Sequence, residues 1–131
     1  VFAGCLSLRS ICLPRGVRAL GSFSFERCSA LTTITFEADF CLSSMGLGAF
    51  KDCLSLQSIS IPGGVRTLEM SVFSGCKNLA TVTFEGGSAP LHVEIEAFKD
   101  CSSLRFVRIP RNRKKTIGQG ALPAGCVVET F

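Results

Sequence analysis

A chain of 131 residues with 47% apolar residues carries ample material for a core, yet no unbroken run is long enough to cross a bilayer. The net charge of +4 is local: Arg105, Arg108, Arg111, Arg113, Lys114 and Lys115 supply six of the 14 basic residues, and the other eight face ten acidic ones, so the remainder carries −2. This excludes a uniformly basic protein, and the eleven Phe with no Tyr or Trp assign the aromatics to the interior, because Phe has no polar handle for a wet interface.

The chain repeats one unit, F-x-x-C-x-x-L-x-x-I-x-I/F, five times, beginning at Phe2, Phe25, Phe50, Phe73 and Phe98. The spacings are 23, 25, 23 and 25 residues, and Leu122 takes the Phe place 24 residues later. Such periods mark a leucine-rich-type solenoid, in which each coil contacts only its neighbours. Residues 1–131 therefore read as a single array, with repeats starting near residues 2, 25, 50, 73 and 98 and an irregular terminal coil over 122–131. The expected fold is a mostly β solenoid of about five to six coils. A parallel sheet covers one face, with short strands, turns and 3₁₀ segments on the other.

Within each unit an alternating tetrapeptide reads as a short half-buried strand. Ile34 and Phe36 point inward and Thr33 and Thr35 outward; Ile59 and Ile61 repeat this against Ser58 and Ser60, and Val82 and Phe84 against Thr81 and Thr83. Near the end of the chain the outward residues become Phe106 and Arg108. Pro14, Pro62 and Pro110 close three of the strands, where a missing donor is tolerated. A second apolar pair lines the return path: Val17 with Leu20, Leu42 with Met45, Val65 with Leu68, while Lys114 stands in the place of Val17 and Val65. Gly21, Gly46 and Gly118 follow that path and predict turns with an unusual backbone conformation. The Phe-x-x-Cys spacing predicts one helical or 3₁₀ turn with both side chains inward. Residues 126–131 depart from the strand pattern and predict a capping end.

These residues resemble the BspA-like, or treponemal-type, leucine-rich repeats. The resemblance rests on Ala49-Phe50-Lys51-Asp52-Cys53, Ala97-Phe98-Lys99-Asp100-Cys101, Ile59-Ser60-Ile61-Pro62 and Ile117-Gly118, and on strand endings alternating between I-x-I-P and I-x-F-E types. It covers Phe2 through Leu122. Met45, Val93, the Phe40-Cys41 pair and the final coil depart from the family pattern. The resemblance implies a right-handed solenoid belonging to extracellular or cell-surface proteins that adhere to host proteins or matrix, without catalysis. On that basis the chain is expected to be a fragment of a larger surface protein. No charged-then-apolar leader can be read at its start.

The eight cysteines invite a disulfide framework. Five of them, Cys5, Cys28, Cys53, Cys76 and Cys101, recur at one repeat position, where stacked side chains point in parallel. They read as a reduced, buried ladder. Cys12 and Cys41 lie off that register; partial burial is the plain expectation, and an exposed reactive thiol the sharper one. With no C-x-x-C pair and a single His, His92, tetrahedral zinc is not expected, and no acid, base and nucleophile can be named together. Neither a cofactor nor an enzymatic activity is expected.

Two candidate surfaces remain. A protein partner laid across the sheet face would meet Thr35, Ser60, Thr83, Arg105, Phe106 and Arg108, the last three as anchors; the plain alternative is solvated sheet on a structural spacer. The basic patch Arg111, Arg113, Lys114 and Lys115 would attract a sulphated glycan or another polyanion, or simply keep the chain soluble. Interleaved aromatics for stacking bases are missing apart from Phe106, so nucleic acid is not an expected partner.

Overall fold

The computed structural model describes residues 3–37, 42–87 and 90–131. The expectations at Phe2, Phe40 and Cys41 lie outside the described residues. Among the described residues eleven short strands follow one another: β1 (Ser10–Leu13), β2 (Ala19–Leu20), β3 (Thr33–Phe36), β4 (Ser44–Met45), β5 (Ser58–Ile61), β6 (Thr67–Leu68), β7 (Thr81–Phe84), β8 (Leu91–Val93), β9 (Phe106–Ile109), β10 (Lys115–Ile117) and β11 (Val127–Thr130). Odd-numbered strands stack on one face and even-numbered strands on the other, and every pairing is parallel. Parallel pairing follows from the repeat, because each coil returns the chain to its starting side one strand spacing further on. The fold is a β-solenoid of leucine-rich type.

The first face is not continuous. β1 pairs with β3, and β5, β7, β9 and β11 form a separate four-stranded sheet; the return face is one unbroken sheet, β2-β4-β6-β8-β10. The prolines account for part of this. At the other junctions the amide after the strand reaches back to the previous coil: Glu37 N–H to Leu13 O at 3.1 Å, Glu85 to Ile61 at 2.9 Å, Phe131 to Ile109 at 3.2 Å. Pro62 and Pro110 hold those positions in the third and fifth coils and have no proton to give. β7 and β9 accordingly share three register pairs where the neighbouring junctions share four.

The interior is a set of one-residue columns. Phe25, Phe50, Phe73 and Phe98 stack at centroid separations of 5.2, 5.5 and 5.4 Å with ring planes within 7° of parallel. Leu31, Leu56, Leu79 and Leu104 form a second column, and Ile34, Ile59, Val82 and Val107 a third, all buried. Side chains stitch the coils at their rims as well. Ser55 Oγ donates to Ser29 O at 2.6 Å and Asn78 Nδ2 to Leu54 O at 2.7 Å.

The turns differ from the sequence expectation. No helix or 3₁₀ segment occurs among the described residues. Each coil instead strings together four-residue turns with a left-handed third residue, as in type II turns. Arg27, Asp52, Gly75 and Asp100 take that place before the ladder Cys, with φ of 60, 59, 76 and 60°. Phe23, Gly48, Ser71, Glu96 and Gly120 take it before the buried residue that precedes the Phe column. The unusual conformation thus falls two residues beyond the glycines that the sequence singles out. Gly46 and Gly118 are needed for a different reason: a Cβ at Gly46 would lie 2.5 Å from Leu20 O, and at Gly118 2.7 Å from Ile95 N. At these two places the return path passes too close to the neighbouring coil for a side chain.

The last coil also departs from expectation. Residues 127–130 form a regular strand that pairs with β9 over four positions. From the ladder Cys to the strand is five residues in every earlier coil (Cys101 to Phe106, for example) but one at Cys126-Val127. The C-x-x-L segment has dropped out, so the chain enters the strand straight from its turn and Cys126 is only half-buried.

Candidate functional site

The cysteine ladder is a packing element. Cys28, Cys53, Cys76 and Cys101 are fully buried, and all seven described cysteines are free. Three of the buried thiols have a local use: Cys53 Sγ donates to Phe25 O at 3.3 Å, Cys76 to Phe50 O at 3.1 Å and Cys101 to Phe73 O at 3.0 Å. The acceptor is always the Phe carbonyl one coil earlier, so the motif's Phe and Cys bond between coils as well as packing within one. Burial pushes the Cys101 thiol up to about 12 and raises Cys28 and Cys126. Cys76 is held well above the usual range first by its hydrogen bond with the Cys53 side chain and then by burial. Neutral, buried thiols are poor nucleophiles. Cys12, by contrast, is exposed on β1 beside Thr35.

The remaining reactive groups do not converge. His92 is exposed on β8, with Thr67 and Thr116 as its register neighbours. Glu94 is exposed, and Glu96 pairs with Lys99 at 3.7 Å. Among the described residues no three His, Cys, Asp or Glu side chains are grouped to hold a metal ion.

The sheet face brings the predicted contact residues together. Two outward columns run across it. One consists of Ser58, Thr81, Phe106 and Val127, the other of Ser60, Thr83, Arg108 and Glu129. Thr35 lies apart from them, in the separate β1-β3 sheet beside Cys12. Over β5 and β7 the face offers only hydroxyls, and Ser60 Oγ donates to Glu85 Oε1 at 3.1 Å. Over β9 and β11 it changes character. Phe106 and Val127 are 42% and 50% exposed and stand side by side. Arg108 Nε lies 3.7 Å from Glu129 Oε2, and its guanidinium sits 5.3 Å from the centre of the Phe131 ring. Arg105 and Arg111 are exposed at the two ends of β9.

Val127, Glu129 and Phe131 are the site residues that sequence reasoning misses. The signal was available in the alternation Val127-Val128-Glu129-Thr130, but the lost segment before it hides the register. A second row of exposed apolar side chains, Leu47, Met70 and Ile95, occupies the second residue of the first turn in successive coils, beside Glu69 and Glu94.

The basic run does not form one patch. Arg111 lies beside the sheet face, Lys115 on β10 of the opposite face, and Lys114 between them, all exposed. Arg113 contradicts the expectation of a solvated cation, since it is 3% exposed. The reason is register: the turn Pro110–Arg113 closes with an Arg113 N–H to Pro110 O bond of 3.1 Å, as Pro62–Val65 and Pro14–Val17 close at the same distance. Arg113, not Lys114, takes the inward valine place. Its guanidinium reaches back to Glu85 O at 3.3 Å and to Val65 O, tying the fifth coil to the fourth and third. Burial lowers its pKa.

Comparisons with known proteins agree with this architecture. The model of the BspA type leucine rich repeat region matches residues 1–126 in six copies. Among solved structures, a leucine-rich repeat protein from Bacteroides ovatus superposes with a TM-score of 0.78 at 21% identity, over 100% of this chain and 32% of that one. The pneumococcal vaccine antigen PcpA gives 0.79 at 23%, over 93% and 30%. A leucine rich cell surface protein from Faecalibacterium prausnitzii gives 0.65 at 22%, over 99% and 43%. The chain thus spans about a third of the length of the first two. No curated protein matches it. With its period, its turn pattern and its Phe and Cys columns all accounted for, the chain belongs to the BspA-type leucine-rich repeat family.

Proposed function

We propose that the chain is a non-catalytic recognition module of a cell-surface or extracellular protein, binding a protein partner across the face formed by β5, β7, β9 and β11. The observation that carries this reading is the change along that face from a hydroxyl-lined floor to the exposed Phe106–Val127 pair flanked by arginines. Small Ser and Thr side chains let a partner approach the sheet closely, and exposed aromatic and Arg residues are the usual energetic centres of an interface. The family and the neighbours described as a vaccine antigen and a cell surface protein support the location. The split of the basic run, with Arg113 inside, gives a polyanion reading less support.

The test is capture of host or neighbouring surface proteins on the immobilised chain, compared with a Ser60→Arg/Thr83→Arg variant that raises two bulky side chains on the face. Capture by the wild type that disappears in the variant, with both proteins folded, supports recognition across the sheet. Capture indifferent to the variant contradicts it, and a partnerless array would be a spacer holding other parts of the protein apart.

A further inference from the structure

We infer that the β9–β11 end of the sheet face binds an extended peptide carrying apolar side chains flanked by carboxylates; this rests on the sheet-face reading above and narrows it to one partner chemistry. Three observations carry it. First, Phe106 and Val127 are register partners, so their side chains stand on the same face about 4.8 Å apart and make an apolar spot in an otherwise hydroxyl-lined floor. Second, the charges around that spot are one-sided. Arg108 is matched by Glu129, whereas neither Arg105 nor Arg111 is in an ion pair among the described residues. In the fourth coil the Glu85 carboxylate accepts from Ser60 on β5 and is not in an ion pair with either arginine. Third, Arg108 is already held by Glu129 and the Phe131 ring. That fixes a rigid divider on the floor at little further entropic cost on binding.

The spacing defines the ligand. From Arg105 to Arg111 is six residues, with β9 between them and Arg111 already in the Pro110–Arg113 turn, so the two positions lie at most about 20 Å apart at roughly 3.3 Å per residue. A seven-residue extended peptide with carboxylates at both ends spans that distance, placing apolar side chains over Phe106–Val127 and beside Phe131. Exposed charges of this kind act mainly through on-rate and salt dependence, while the apolar contacts set residence time.

The experiment is fluorescence anisotropy on the full chain with a labelled probe peptide, Asp-Glu-Leu-Ser-Phe-Asp-Glu, and its counterpart with Lys in place of every acid. A heparin-derived oligosaccharide forms a third arm. The wild type is expected to bind the acidic probe saturably, and Arg105→Glu/Arg111→Glu to weaken it by about tenfold or more and to bind the Lys peptide instead. Phe106→Ser should weaken the acidic probe by a similar factor at unchanged salt dependence. Circular dichroism of each variant checks folding, which these exposed positions should not disturb. Absence of acidic-probe binding, or binding indifferent to charge reversal, overturns the inference. So does heparin binding lost in the double variant with neither peptide bound, which would assign the cations to a glycan. If the probe fails while Ser60→Arg/Thr83→Arg still abolishes protein capture, only the peptide chemistry is wrong; if capture is also indifferent, the sheet-face reading falls with it.

Discussion

The third and fifth coils follow one plan as far as their closing turn and then part. Both enter through a stacked Phe, Phe50 or Phe98, and a buried ladder cysteine, and both end their strand in Ile-Pro. The third puts Ser58 and Ser60 on the sheet face and closes with Val65 inside. The fifth puts Phe106 and Arg108 on the face and closes with Arg113 inside. The shared half builds the solenoid, and the differing half is free to vary because it lies on a surface or at the rim of a column. An arginine can replace Val65's counterpart only because the carbonyls of Val65 and Glu85 are within its reach. Without such acceptors a buried guanidinium would cost several kcal/mol.

The largest loss of stability should come from the shared half. Phe73→Ala, in the middle of the stack with fully buried neighbours on both sides, should cost about 3–5 kcal/mol in chemical denaturation, whereas Phe106→Ala should stay within about 1 kcal/mol. Equal costs would mean that Phe106 belongs to the core. Next is the closing turn: Arg113→Ala should cost about 1–3 kcal/mol by stripping the donor from two carbonyls, and Arg111→Ala next to nothing. If the two variants melt alike, the buried arginine is not holding the coils together.

A further effect is read against pH. The Cys101 thiol is held up to about 12 from an ordinary value of 9.0, so the folded chain keeps a proton that the unfolded chain releases. The contribution is fully present below pH 9 and is lost as pH rises toward 12. In that window this one thiol should lower stability by about 1.4 kcal/mol per pH unit. Cys101→Ala should flatten the slope by that amount relative to wild type. An unchanged slope would show that the thiol is not buried in its neutral form.

The regular half was legible in the sequence because a solenoid repeats its physics. Each inward residue meets its own kind one coil away, so period and residue type identify the columns without knowledge of distant contacts. Reading failed where local chain length changes. Arg113 looked like a surface charge because Lys114 stands three residues before Ile117, as Val65 stands before Leu68; the turn Pro110–Arg113 shows that the fifth coil has one residue more on its return path. β11 was hidden by the deletion between Cys126 and Val127. The break between β3 and β5 was half-written in Pro62, which removes a donor, but strand-ending prolines alone do not predict it, since Pro110 leaves β9 paired with β7.

The F-x-x-C motif packs the solenoid and presents no reactive thiol. Native-state alkylation followed by peptide mass mapping tests this most directly. Cys28, Cys53, Cys76 and Cys101 should stay unmodified until denaturant is added and then react as free thiols, while Cys12 reacts under native conditions. Rapid native labelling of Cys53 or Cys76, or a disulfide between adjacent ladder cysteines in the purified protein, would contradict it.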